Sequence, residues 1–124
     1  MVTRVVSLRR EAYDVYIGRA GKGLDGYFGN PYMVGRHCSR CGEVHETGAS
    51  TLPCFDAYFL GRLGSDAEYR RRVLELTGKT LGCFCAPNPC HGNVIAAFLN
   101  RPRQAIDAQL DRLVRISTIA AHRR

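Results

Sequence analysis

Gly78-Lys79-Thr80-Leu81-Gly82-Cys83-Phe84-Cys85-Ala86-Pro87-Asn88-Pro89-Cys90-His91-Gly92-Asn93-Val94-Ile95-Ala96 is the stretch that decides the fold. A glycine turn opens it, and the short apolar run from Lys79 to Cys85 reads as a buried strand. Pro87 and Pro89 then stiffen a brief loop, because each fixes its own φ. From about His91 to Asn100 the apolar spacing becomes helical. A strand handed through a tight loop to a helix N-terminus is one half of an α/β unit.

Working outward, Thr3 to Leu8 and Tyr13 to Ile17 are rich in β-branched and aromatic residues and read as two further strands, joined by Arg9-Arg10-Glu11-Ala12. Phe55, Phe59 and Leu63 repeat at helical spacing, predicting a helix from about Pro53 to Leu63 that Gly64 stops. Ser65 or Asp66 caps a second helix through about Leu76, with Tyr69, Val73 and Leu76 inward and Gly78 as its C-terminal signal. Pro102 opens a last amphipathic helix through about Ile119, presenting Ile106, Leu110, Leu113 and Ile116. The expected architecture is α/β, a small single-domain sheet flanked by helices with a zinc-knuckle-like insertion. Residues 1–100 make the α/β domain, with the insertion at about 36–54. Residues 101–124 add the amphipathic helix and a frayed basic end, Ala121-His122-Arg123-Arg124.

The chain has 124 residues, 45% of them hydrophobic and 23% charged, enough for one folded core and not for two. No apolar run reaches the 18 or so residues of a spanning helix. Met1-Val2-Thr3-Arg4-Val5-Val6 lacks the apolar core of a secretory signal. A cytoplasmic protein with no membrane partner is expected, in a bacterial cell or in the host if phage-encoded. Eighteen Lys and Arg against 11 Asp and Glu give a net charge of +7, which favours anionic partners: nucleotide, phosphorylated small molecule or nucleic acid.

Six cysteines without an export signal point to metal binding or thiol chemistry rather than disulfides. In Cys38-Ser39-Arg40-Cys41-Gly42-Glu43-Val44-His45, the two-residue gap lets both thiolates reach one tetrahedral ion. His45 and Cys54 are the nearest residues to complete a Cys3His set for zinc; His37 or a cysteine of the second group are the alternatives. A redox dithiol and ordinary thiols are the competing readings. Because the segment is poor in apolar residues, a metal would explain how it folds.

The second group is Cys83, Cys85, Cys90 and His91. Cys90 and His91 arrive at a helix start, where unpaired N–H groups and the macrodipole favour negative charge, lower a thiol pKa and suit an anionic ligand. Open α/β sheets bind ligands at such strand ends. Three readings stand together: an active or ligand site built on Cys90, His91 and Asn93, with Cys85 beside them; a further metal site; or a rigid turn with buried thiols. From Gly18 to Gly35 there are six glycines, marking a long irregular loop able to approach a ligand closely.

Taken together, Asp14-Val15-Tyr16-Ile17-Gly18-Arg19, Gly29-Asn30-Pro31-Tyr32, and Gly78 to Cys85 continuing through Pro89-Cys90-His91-Gly92 resemble a bacterial and bacteriophage family, domain of unknown function 4326. The resemblance covers roughly residues 3–100 and implies no established activity. The family pattern usually has Asp where this chain has Asn93, and the Cys38–Cys54 segment resembles an insertion present in some members. Because the shared residues are polar ones at loop and strand ends, the resemblance implies that Arg19, Asn30 and His91 line one pocket. Arg19 would hold a phosphate or carboxylate, and Asn30, fixed by Pro31 and with Gly29 before it, would orient a base or ribose; the competing reading makes Asn30-Pro31 a turn and Arg19 a surface charge.

Known enzyme motifs fit poorly. Cys41-Gly42-Glu43 and Pro89-Cys90 echo a zinc deaminase, but Asn93 stands where the last cysteine ligand belongs. Gly18, Gly21 and Gly23 match neither a P-loop nor a dinucleotide fingerprint, and there is no serine elbow. The expected function is a zinc-binding α/β protein that binds or processes a nucleotide-like or phosphorylated ligand beside Cys90 and His91. The alternative is a non-catalytic module for nucleic acid or a host protein, using Arg70-Arg71-Arg72.

Overall fold

A computed structural model describes residues 2–122. Its sheet has three strands, β1 (Arg4–Ser7), β2 (Val15–Tyr16) and β3 (Thr80–Cys83), in the order β1-β3-β2. Both pairings are parallel: Val5 and Val15 flank Leu81, and Val6 and Tyr16 flank Gly82. A central parallel strand is covered on both faces and must be apolar throughout; Leu81, Gly82 and Cys83 are all buried. Gly82 is required by its neighbour, since a Cβ there would lie 2.6 Å from the Tyr13 ring.

Four helices complete the α/β fold: α1 (Leu52–Ser65), entered through a 3-10 turn at Ala49–Thr51, α2 (Ala67–Leu74), α3 (His91–Leu99) and α4 (Arg103–His122). Helix α1 is the hub, touching α2, α3 and α4. Its apolar stripe, Phe55, Phe59 and Leu63, is wholly buried with Ile17, Leu81 and Ile95 in one core. Asp66 joins α1 to α2: its carboxylate accepts the Tyr69 N–H at 3.0 Å, the N-cap bond expected of an aspartate there. Asn100, just past α3, ties that helix to β1 by accepting the Thr3 N–H and donating to the Thr3 carbonyl, both at 2.8 Å.

Several element ends differ from the sequence expectation. Strand β3 stops at Cys83, so Phe84 and Cys85 lie in a bend, and β2 is a two-residue strand. Helix α2 ends at Leu74, and the chain turns at Gly78 with φ +76°. Helix α4 runs to His122, so the first half of the expected frayed end is helical; Arg123 and Arg124 lie outside the described residues. Gly64 does not stop α1. It is a close-approach residue, where a Cβ would sit 2.5 Å from the Leu113 carbonyl oxygen of α4.

Two glycines of one helix should therefore respond with opposite signs. Gly61 faces open space, so Gly61→Ala should stabilise by about 0.5–1 kcal/mol. Gly64→Val should destabilise by about 1–3 kcal/mol through overpacking against backbone that has no freedom to yield. Urea denaturation of the two variants reads both, and a stabilising Gly64→Val would refute the close approach.

Candidate functional site

The parallel sheet points its three strand ends the same way, and a cavity of about 440 Å³ opens there. Arg9 reaches it from beyond β1, Tyr16 to Lys22 from the end of β2, and Cys83 to Cys85 from the end of β3. Pro89, Cys90 and His91 form its floor at the start of α3, and Asn30, Thr51 and Leu52 close one side. This is the place where α/β sheets hold ligands, because the helix start and strand-end loops converge on it.

The wall is polarised. Arg9, Arg19 and Lys22 line it, and no Asp or Glu among the described residues does. None of the three cations joins an ion pair among those residues. Arg19 is aimed by the Gly-rich loop: its Nε donates to the Asn30 carbonyl at 3.0 Å and its Nη2 to the Tyr32 carbonyl at 2.6 Å. Lys22 sits at φ +50° beside Gly23 at +78°, the paired left-handed geometry of a tight turn closed by the Leu24 N–H on the Gly21 carbonyl. Two aromatic rings stand among the cations. Tyr16 and Phe84 meet edge to face at 6.1 Å between centroids, and Arg9 lies 5.2 Å from the Phe84 ring centre. Sequence reasoning passed over Arg9, Lys22, Tyr16 and Phe84 as site residues, although Tyr16 ends β2 and Phe84 immediately follows β3.

Of the residues singled out in the sequence, Arg19, Asn30, Cys85, Cys90 and His91 line this cavity. Gly29 lies beside it, packed where a Cβ would be 2.9 Å from the Gly18 carbonyl oxygen. Asn93 points elsewhere: its Oδ1 accepts the Cys90 N–H at 2.9 Å and closes a capping box on α3. The amide of Asn30 is likewise engaged, accepting the Tyr32 N–H and donating to Thr51 Oγ1, both at 2.9 Å.

On the cavity floor the donor atoms of Cys83, Cys85, Cys90 and His91 lie within 4.8 Å of one another. His91 is buried with Nε2 2.6 Å from the Ile17 carbonyl oxygen, so Nε2 carries the proton and the Nδ1 lone pair faces Cys90 Sγ at 3.5 Å. Burial keeps this imidazole neutral, lowering its pKa. Contrary to the helix-start expectation, the Cys90 thiol is pushed strongly up, first by its bonds with Cys83 and Cys85 and then by burial. The Cys83 thiol is instead brought well down by hydrogen bonds with Cys85 and Cys90.

The first cluster lies in the loop before α1. Gly42, at φ +81°, lets the chain turn so that its N–H reaches the Cys38 carbonyl at 2.9 Å, while the Arg40 N–H points to Cys38 Sγ at 3.4 Å. Cys54 comes from the first turn of α1. Cys38, Cys41, His45 and Cys54 present donor atoms within 4.8 Å of one another, and His37 is not among them. Cys38 Sγ is 3.8 Å from Cys54 Sγ, and Cys41 Sγ is 3.6 Å from His45 Nε2. A zinc tetrahedron with Zn–S arms of about 2.3 Å and Zn–N arms of about 2.0–2.1 Å has edges of about 3.8 Å and 3.6 Å. The imidazole is set correctly too. Ser50 Oγ gives its proton to the Thr47 carbonyl at 2.7 Å and so accepts from His45 Nδ1 at 3.2 Å, leaving Nε2 as the donor to an ion. Although burial opposes its ionisation, N–H bonds from Cys41 and Arg40 bring the Cys38 thiol down to about 6. Burial and the bonds to Cys38 and Cys41 push Cys54 up to about 11. Both clusters are thus able to hold a metal ion.

A family model described as domain of unknown function, DUF4326, matches residues 2–101. The chain belongs to this family. The DUF4326 match runs from β1 to the end of α3, taking in both Cys/His clusters and the strand-end cavity. A phage relative, the "Uncharacterized 12.4 kDa protein in nrdA-td intergenic region" of Enterobacteria phage T4, is 31% identical over 98 residues, covering 79% of this chain and 78% of the relative. No solved structure matches this DUF4326 chain. Among its described residues no helix is long and apolar enough to cross a membrane.

The arginine triplet is already engaged. Arg70 donates to the Leu63 carbonyl at 2.6 Å, Arg71 pairs with Glu68 and Glu75, and Arg72 lies 3.7 Å from the centre of the Tyr27 ring. Arg71 is thus neutralised within the protein, whereas Arg9, Arg19 and Lys22 have no carboxylate partner among the described residues.

Proposed function

We propose that this protein binds a small phosphorylated, nucleotide-like ligand in the strand-end cavity, with zinc in the first cluster holding the loop that closes one side. The carrying observation is the cavity wall, where Arg9, Arg19 and Lys22 gather without a carboxylate around Tyr16 and Phe84. Cations without counter-charges attract phosphate, and Arg19 has its side chain already oriented, which lowers the cost of binding. The exposed Phe84 ring and Tyr16 offer a surface for a base. The volume, about 440 Å³, lies within the range of roughly 300–1,000 Å³ usual for small-ligand sites. Zinc would be held by Cys38, Cys41, Cys54 and His45 Nε2, a closed set that supplies cross-linking and no reaction.

Thermal-shift measurements with nucleosides and their mono-, di- and triphosphates test the pocket. A nucleotide at a hundred times its Kd should stabilise the protein by about 2.7 kcal/mol, and the parent nucleoside far less. Arg9→Ala and Lys22→Ala should weaken this response at least tenfold in apparent Kd, while Arg71→Ala, on the α2 surface, should leave it unchanged. Equal response in all three variants, or none to any phosphorylated compound, rejects the reading. Binding of long DNA or RNA with a steep salt dependence that follows Arg71 would support the nucleic-acid alternative instead.

A further inference from the structure

Three thiols at the cavity floor are closer together than thiols ordinarily stand. Cys83 Sγ is 2.9 Å from Cys85 Sγ and 3.3 Å from Cys90 Sγ, distances too long for a disulfide and shorter than ordinary sulfur contact. The fourth member, His91, has its proton fixed on the far nitrogen by the Ile17 carbonyl, the outer-shell arrangement of a metal-bound histidine. The Cys90 sulfur also accepts the Gly92 N–H at 3.4 Å, as thiolate ligands do. Two separate segments, the end of β3 and the start of α3, are needed to assemble this set, and Gly92 has no side chain because a Cβ there would meet Ile17 Cδ1 at 2.5 Å.

We infer that Cys83, Cys85, Cys90 and His91 form a second, closed Cys3His site for a zinc-type ion, so that the ligand cavity is floored by a metal centre rather than by a free nucleophile. The donor set selects a soft or borderline divalent ion with tetrahedral preference. An iron–sulfur cluster is the wrong size, since it spreads its four ligands over at least two irons, whereas the four donor atoms here all lie within 4.8 Å of one another. The Cys90–His91 edge of 3.5 Å already matches a zinc tetrahedron; the S···S edges must open to about 3.8 Å. Cys85, half-buried in the bend after β3, can open the shorter 2.9 Å edge, and the 3.3 Å edge between Cys83 and Cys90 must open by only about half an ångström. Three thiolates around a divalent ion leave one net negative charge, which Arg9, Arg19 and Lys22 offset from the walls. Four protein donors leave no open position, so Cys90 and His91 serve as ligands and not as nucleophile or proton carrier.

The test counts metal on the whole chain, purified under reducing conditions without nucleotide. Zinc should be present at two equivalents, and Co2+ titration of the metal-free protein should build thiolate charge-transfer absorption to two equivalents. Cys38→Ser and Cys85→Ser should each remove one equivalent and retain the other. Cys85→Ser leaves the buried ligands in place and so guards against simple misfolding, and the cobalt count of the unaltered chain needs no variant at all. Saturation at one equivalent that Cys85→Ser leaves intact overturns the inference, as does the loss of two hydrogen masses in a Cys83–Cys85 disulfide. The inference stands apart from the nucleotide reading: failure of the count leaves the thermal-shift result untouched, and a protein silent to nucleotides can still carry two metals.

Discussion

Removing metal from the first cluster should lower the melting temperature by roughly 10–20 °C. A metal at about a thousand times its Kd stabilises the folded state by about 4 kcal/mol, and in a domain of this size each kcal/mol moves the midpoint by roughly 3–5 °C. The loss should be local before it is global. Residues 33–48 have few apolar contacts of their own; the small satellite core beneath them is Tyr32, Cys38 and Cys54, with Tyr58 against it. Without an ion, the loop is held only by backbone bonds such as Cys38 N–H to Glu43 carbonyl and Gly35 N–H to His45 carbonyl. Hydrogen exchange should therefore speed up across 33–51 in Cys38→Ser while Leu81 in β3 stays protected. The same loop supplies the Thr51 hydroxyl that orders Asn30, so the cavity wall should loosen with it. Zinc restored to chelated protein should recover the midpoint; a midpoint indifferent to chelator would remove the clip from the account.

How much of this could be read beforehand depended on whether the signal was local. The spacing Cys38-x-x-Cys41-Gly42 and His45 carries its own geometry, and so does the Phe55, Phe59, Leu63 stripe. Both were legible. The end of β3 was legible as a place but not as a chemistry. Cys90 at a helix start suggested an acidic thiol, yet its behaviour is set by Cys83 and Cys85, whose closeness arises because β3 ends two residues before Cys85. Gly64 carried a stop signal in local terms, whereas its role is fixed by α4, some fifty residues further on. Strand order was hidden for the same reason: nothing near Thr80 says that β1 and β2 will flank it. Arg9 and Lys22 became site residues only when parallel pairing brought three strand ends together. Asn93 shows the converse, a polar residue in a chemically dense motif that serves the capping of α3.

Phe59→Ala should cost about 3–5 kcal/mol. Phe59 is fully buried and links three helices: it stacks on Phe55 of α1 at 5.9 Å, and meets Tyr69 of α2 and Phe98 of α3 edge to face at 6.3 Å and 5.5 Å. Truncation removes transfer energy and leaves a cavity that three packed elements cannot collapse to fill. Against a total stability of roughly 5–15 kcal/mol, such a loss lowers the melting midpoint by roughly 10–20 °C. Phe59→Leu keeps most of the volume and should lose about half as much or less. Val44→Ala, at a residue 54% exposed, should stay within about 0.5 kcal/mol. The consequence reaches the cavity because Phe98 seats the helix whose first turn presents Cys90 and His91. In Phe59→Ala, just below its midpoint, the Co2+ spectrum of the second cluster should weaken before that of the first. Simultaneous loss of both would mean that α3 and the knuckle loop unfold as one unit.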